Sequence, residues 1–394
     1  MKKVFLFIPV MKGGGAERVA SLLMNEFNRS GCETEFYLTS SRESEIIRCD
    51  LNDEIKLAAF ESDRAEGARY KLFGVLSSLL CKPFELLKKR VPAFFAKISF
   101  VSRYHNQIVQ MRKILINNPE AVAIAFLQPT IPMLMFASRG LPNRVIFSER
   151  GDPIRLMKHR YGGKFIEKYY TRADAAVFQT EDAKKAYPKN ISAKGAVISN
   201  PIKADLPEPY HGERNKNITT FCRISAQKNL PLLFETFNKI HKEHPDYILR
   251  VIGDSLNEEG KKVEEQLKSY IKENSLEKSV VFEPFKKKIH EAIINDAIYV
   301  NSSDYEGISN AMLEAMAIGL PTVCTDCPIG GARATIEDGE NGLLVSVGDV
   351  EALYKAIKRI IEEDGLAEKL SVNAAKLRDE LSLEKTARKW MELF

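Results

Sequence analysis

The sequence predicts an α/β protein of two domains, each built on a parallel sheet. Three observations predict this. Short apolar runs at 4–10, 35–39, 121–127, 145–148, 175–179 and 196–199 alternate with helical patterns such as 16–28. The alternation restarts after a polar stretch at 202–217 that holds two prolines and no apolar periodicity. The chain has 394 residues, 44% of them hydrophobic, more than one ordinary core needs and enough for two domains of roughly 150–200 residues.

In the first domain the run 4–10 imitates the start of a signal peptide. It ends at Lys12 without a small-residue cleavage site, so a first β-strand explains it better. In the second domain the runs 218–222, 248–253, 280–282, 297–301, 322–325 and 343–345 read as strands. Helical patterns at 230–244, 258–273, 310–318 and 350–363 separate them. The expected boundaries are 1–200 and 201–381. The helical stretch 382–394 has no strand after it and is free to pack back on the first domain. No apolar run after the first is longer than 121–127, far short of a membrane span. A soluble, cytoplasmic protein is expected, peripheral at most on the inner face of the cytoplasmic membrane.

Cysteine usage argues against a metal or disulfide framework. Cys324 and Cys327 are spaced as a pair but no second pair matches them, and a zinc site wants four ligands. They read as reduced thiols. Charge is uneven: residues 1–200 carry 32 Lys and Arg against 20 Asp and Glu, a net of +12, while 201–394 carry 26 against 33, a net of −7. Segment 69–113 holds ten basic residues and one acidic residue, Glu85. Leu72, Phe73, Leu79, Phe84, Phe94 and Phe100 recur among those charges, a pattern suited to helices lying on an anionic membrane surface. A helical pair packed on a sheet would show the same apolar face. No nucleic-acid-binding signature accompanies the basic residues.

Four motifs carry candidate chemistry. Gly13, Gly14 and Gly15, followed by Glu17 and Arg18, lie between the first strand and its helix. Glycines there let backbone N–H groups approach an anion at the positive end of a helix. Arg223 and Lys228 follow strand 218–222, where open α/β sheets bind ligands, and two cations there suit a diphosphate. In the stretch 304–317, Glu314 is the only charged residue on a helix that is apolar all round and therefore buried. It needs donors, and ribose hydroxyls or backbone N–H groups would supply them. Glu306 precedes this helix by one loop, and the first amides of the helix, around Ser309, Asn310, Ala311 and Met312, would face the same cleft. Ser148, Glu149 and Arg150, with Asp152, follow strand 145–148. Glu149 or Asp152 is placed to act as a base or to bind the acceptor, and Arg150 to neutralise phosphate. The six histidines form no ligand spacing and no Asp-x-Asp occurs, so no metal-clamped nucleotide is expected.

Together these residues resemble family 4 of the retaining glycosyltransferases, over nearly the whole chain. The resemblance rests on Gly13–Gly15 with Glu17 and Arg18, Asn200-Pro201, Arg223 with Lys228-Asn229, and Gly253-Asp254. Its most specific part is Glu306-x7-Glu314 followed by Ala315-Met316-Ala317-x-Gly319-Leu320-Pro321. The run from Asp338 through Asn341-Gly342 to Val345 is similar to the family's as well. The resemblance implies the GT-B fold, two Rossmann-like domains whose parallel sheets face an interdomain cleft. It also implies transfer of a sugar from a nucleoside diphosphate sugar, with a UDP-sugar expected, to a glycan or polyprenyl-diphosphate-linked saccharide, with no cofactor. Arg223 and Lys228 would hold the donor diphosphate, Glu314 the ribose hydroxyls, and Glu306 the transferred sugar. The run 327–332 looks like the variant found in enzymes building capsule, O-antigen or lipid-linked oligosaccharides. Two departures stand out: Ser148-Glu149-Arg150 occupies the place where many relatives have a histidine near the sugar, and Pro284 stands where they often have glycine. A same-fold epimerase or phosphorylase, or a non-catalytic membrane-associated subunit, are the rival expectations.

Overall fold

The computed structural model describes residues 1–40, 46–48, 50–60, 75, 79, 81–86 and 91–394. Their contacts form two compact units, Met1–Pro201 with Leu383–Phe394, and Ile202–Ser382.

The first unit is built on a seven-stranded sheet, β1 (Lys3–Ile8), β2 (Glu33–Leu38), β3 (Lys56–Ala59), β4 (Val122–Phe126), β5 (Arg144–Ser148), β6 (Ala175–Phe178) and β7 (Gly195–Val197). The order is β3-β2-β1-β4-β5-β6-β7 and every pairing is parallel. Both faces are covered by helices, which is why β1 and β4 are unbroken apolar runs instead of alternating ones. Only β3 escapes the sequence reading. Lys56-Leu57-Ala58-Ala59 is short, sits at the sheet edge and lacks a β-branched residue. The helix Leu383–Met391 packs on this unit: Trp390 is 1% exposed, with its ring 5.6 Å from Phe126, and Phe394 meets Phe27 edge-on at 5.0 Å.

The second unit has six parallel strands, β8 (Asn215–Phe221), β9 (Ile248–Ile252), β10 (Val280–Glu283), β11 (Asp296–Asn301), β12 (Thr322–Thr325) and β13 (Leu343–Val345), in the order β10-β9-β8-β11-β12-β13. Helices Leu230–Glu243, Glu258–Glu273, Asn310–Ala317 and Val350–Glu362 connect them. A further helix, Leu366–Ala375, was not evident from periodicity. At the amino ends of the strands, buried Asp296 accepts hydrogen bonds from Asn217 and Thr219 of β8 and from Arg250 of β9, tying three central strands together. The two-domain, doubly wound α/β expectation therefore holds. In each sheet the strand order reverses once, between β1 and β4 and between β8 and β11. Ligands of open α/β sheets bind beyond the carboxyl ends of the strands at such a point.

Much of the basic segment 69–113, including Arg69, Lys71, Lys88, Lys89 and Arg90, lies outside the described residues. Within the described part, helix Ala93–Arg103 buries Phe100 against Tyr104, Tyr161 and Phe165, while Phe94 is 57% exposed. Among the described residues no helix is long and apolar enough to cross a membrane.

Candidate active site

The reversal point of the second sheet gathers the sequence-predicted residues of that unit. β8 ends at Phe221 and hands the chain to Cys222, Arg223 and, one 3-10 turn on, Lys228. β11 ends at Asn301 and hands it to Ser302 through Glu306. The two loops are stitched together. Ser302 Oγ donates to the Lys228 carbonyl at 2.9 Å, and the Asp304 amide donates to the Gln227 carbonyl at 3.0 Å. Gln227 Nε2 reaches the Tyr305 carbonyl at 2.8 Å, and Asn229 Nδ2 reaches Asp304 at 2.7 Å.

Lys228 and Glu306 form an ion pair across this seam, each side chain 16% exposed. Ser303 Oγ donates to the same carboxylate at 3.1 Å. Burial works against the Lys228 charge, but Glu306 outweighs it and holds the ammonium above its ordinary range. Arg223 is exposed and, among the described residues, has no hydrogen bond or ion pair. It lies close enough to Lys228 to repel its charge. Two neighbouring cations, one unpaired, form an anion-seeking spot at the sheet's reversal point.

Backbone closeness explains the glycines. A Cβ on Gly331 would fall 1.6 Å from the Gly307 carbonyl oxygen, so only glycine lets the 327–331 loop rest on the loop that carries Glu306. Gly253, with φ +146°, packs against the Cys222 carbonyl in the same way. Cys324 and Cys327 are free, buried thiols; Cys327 Sγ donates to the Ser303 carbonyl, and burial pushes its pKa up to about 11.

Helix Asn310–Ala317 starts beside this loop. Ser309 is its N-cap, its Oγ accepting from the Met312 amide at 3.3 Å, while Asn310 and Ala311 are half-buried in its first turn. Glu314 is buried one turn further, and its partner is a residue that sequence reasoning passed over. His290 Nε2 lies 2.8 Å from Glu314 Oε2, both side chains at least nine-tenths buried. Ligand spacing among the six histidines does not single His290 out. The two residues are 24 apart on different helices, a spacing that no local periodicity marks.

In the first unit, the Gly13–Gly15 loop stands at the β1–β4 reversal point, with Gly13 at φ +86°. Its amides already face an anion: Glu17 Oε2 accepts from the Lys12 amide at 2.5 Å and from the Gly14 amide at 2.8 Å. The chain's own carboxylate caps the helix and takes the place in which a ligand anion was expected.

Glu149 and Arg150 are both buried; the Arg150 amide donates to Glu149 Oε1 at 3.2 Å, but the guanidinium makes its hydrogen bonds elsewhere. Strand alternation sends Arg150 to the side of Ser148, the Phe126 ring at 5.3 Å and Asn200. Glu149 goes to the side of Gln128, which also bonds Tyr170 at 2.8 Å. The two side chains leave the strand end on opposite sides, as the period of two extended past β5 requires. Burial pulls the Arg150 pKa down to about 9 and pushes the Glu149 carboxyl up. Asp152 is a helix cap, accepting from the amides of Ile154 and Arg155.

The shift on Glu149 has a sign that can be measured. Its ordinary value is 4.5 and its folded value is higher. Between the two, the folded chain keeps a proton that the unfolded chain has lost, so stability falls as pH rises across that window. Glu149→Gln removes this slope. The variant's melting temperature should gain on the wild type as pH rises above the ordinary value of 4.5 in paired thermal scans. An advantage largest at the acid end would contradict the assignment.

Residues 204–377, nearly all of the second unit, match the family model described as glycosyl transferases group 1. The second unit is a group 1 glycosyltransferase domain. Relatives extend the likeness to the whole chain. An uncharacterized glycosyltransferase of Haemophilus influenzae is 27% identical over 229 residues, 58% of this chain and 62% of that protein. The N-acetylgalactosamine-N,N'-diacetylbacillosaminyl-diphospho-undecaprenol 4-alpha-N-acetylgalactosaminyltransferase of Campylobacter jejuni is 24% identical over 415 residues, 99% of this chain and all of that protein. The crystal structure of Anabaena HepE with UDP matches at a TM-score of 0.75 and 16% identity, over all of this chain and 99% of that one. The fold is GT-B. Within the glycosyltransferase domain, Arg223, Lys228, Glu306, Ser309–Met312 and Glu314 all fall on the carboxyl-end loops of β8 and β11 or on the helix that follows β11.

Proposed function

We propose that the chain is a retaining, metal-independent family 4 glycosyltransferase that moves a sugar from a UDP-sugar to a glycan or lipid-linked saccharide acceptor in surface polysaccharide synthesis. One observation carries this reading: Arg223, without an ion pair among the described residues, stands beside Lys228 at the β8–β11 reversal point, where a diphosphate would meet two cations. The acceptor class follows the Campylobacter jejuni relative, whose name describes a diphospho-undecaprenol-linked acceptor.

Transfer is front-face. The bond from the anomeric carbon to the donor phosphate stretches to an oxocarbenium-like state. The acceptor oxygen bonds that carbon from the same side and passes its proton to the departing phosphate. Arg223, Lys228 and the amides at the start of helix Asn310–Ala317 stabilise the leaving charge. Glu306 contacts the sugar, drawing Lys228 to the bond that breaks, and Glu314 accepts from the ribose. In the first unit, the Gly13–Gly15 loop, Glu149 and Arg150 belong to the acceptor side.

The test is a panel of UDP-, GDP- and ADP-sugars, first for thermal protection, then for transfer in the presence of EDTA with the product anomer read by NMR. Protection by a UDP-sugar and a retained anomer with EDTA present support the proposal. An inverted anomer, or loss of transfer to EDTA, overturns the corresponding part. Peripheral membrane attachment through 69–113 rests on its ten basic residues against one acidic. Binding to anionic vesicles should weaken steeply with salt and vanish when Lys88, Lys89 and Arg90 are changed to Glu.

A further inference from the structure

We propose that His290 is a positioning residue for nucleotide recognition: it sets the plane in which Glu314 presents its carboxylate to the donor ribose. The inference rests on the reading above that Glu314 takes the ribose hydroxyls.

The geometry is direct. His290 lies on the short helix Ile289–Ile293, between β10 and β11, and is 4% exposed. Its Nε2 sits 2.8 Å from Glu314 Oε2. An ionised carboxylate can only accept, so the ring nitrogen is the donor. The Phe221 ring, at the end of β8, stands edge-on to the imidazole with centroids 5.9 Å apart and limits its rotation.

The carboxylate gains a fixed orientation from this bond. A glutamate side chain has three rotatable bonds, and recognition of a ribose diol needs both hydroxyls to meet acceptors in one plane. One N–H bond takes one of the roughly four lone-pair sites of a carboxylate, so a carboxylate held in this way can still accept from a ligand. Stability alone does not explain the pair. Replacing a buried, hydrogen-bonded pair by apolar residues of similar shape is often neutral or stabilising. The helix carrying Glu314 is otherwise apolar along 311–318, so an aliphatic residue would suit its packing.

The experiment uses the full chain. Among UDP, GDP, CDP and ADP, the diphosphate that the wild type binds most tightly is compared with its 2′-deoxy counterpart by calorimetry. The wild type should prefer the ribonucleotide by about tenfold, the scale of one charge-assisted hydrogen bond. His290→Phe and Glu314→Gln should each abolish the preference, and the double variant should lose nothing further. His290→Gln, which keeps a donor, should restore most of it. Should His290→Phe not fold, His290→Met serves in its place. A ratio of affinities is insensitive to a general loss of stability, so a merely structural histidine would leave it unchanged.

If Glu314→Gln loses the preference and His290→Phe keeps it, the positioning role is wrong and the ribose role of Glu314 stands. Losses that multiply in the double variant also reject the positioning role. If Glu314→Gln keeps the preference, or no diphosphate binds, the ribose assignment itself is wrong and the inference goes with it.

Discussion

Arg223→Ala is expected to lower kcat by about 10²–10³, the usual effect of deleting one group that stabilises developing charge. The fold should be untouched. Arg223 is exposed and has no hydrogen bond or ion pair among the described residues, so its removal strands no buried group. Lys228→Ala should lose activity on the same scale, but with a second effect. It leaves the Glu306 carboxylate mostly buried with Ser303 Oγ as its remaining side-chain donor among the described residues, and a buried charge stripped of its partner is strongly destabilising. The two variants therefore separate by melting temperature: wild-type for Arg223→Ala, lowered for Lys228→Ala. Arg223→Lys should rescue only part of the activity, since an ammonium cannot reproduce a planar fork on a diphosphate. Steady-state turnover at saturating donor, with a thermal scan of each variant, checks the set. Turnover near wild type in Arg223→Ala would refute its role.

Trp390→Ala is expected to cost about 3–5 kcal/mol, the range for deleting a large buried aromatic side chain. Trp390 is 1% exposed and belongs to the core that holds Val4, Leu6, Ile124 and Phe126. The loss belongs to one unit. Hydrogen exchange should accelerate at the amides of β1 and β4 and stay unchanged at those of β8 and β11. Equal acceleration in both sheets would mean that Trp390 supports more than the core it touches. It is the chain's single tryptophan, so exchange is a better probe here than intrinsic fluorescence.

Much of the architecture was legible because parallel strands covered on both faces are continuous apolar runs, and twelve short runs were enough to expose two sheets. β3 was hidden by its edge position and by Lys56 and two alanines. The Glu306-to-Glu314 stretch was legible because a lone charge on an apolar helix demands a partner. The identity of that partner was not, since His290 comes from a separate helix and only tertiary folding brings it within 2.8 Å. Likewise the glycine loop announced an affinity for anions, but nothing short of the folded backbone says that Glu17 fills it.

The interleaving of the two units has a consequence for how the molecule is made. Residues Leu383–Phe394 belong to the unit that begins at Met1, yet the ribosome reaches them only after all of Ile202–Ser382. A nascent first sheet must wait, with the face awaiting Trp390 and Phe394 uncovered, while its neighbour is translated and folds. That interval is when a chaperone would find apolar surface to hold, and when premature termination would leave an adhesive product.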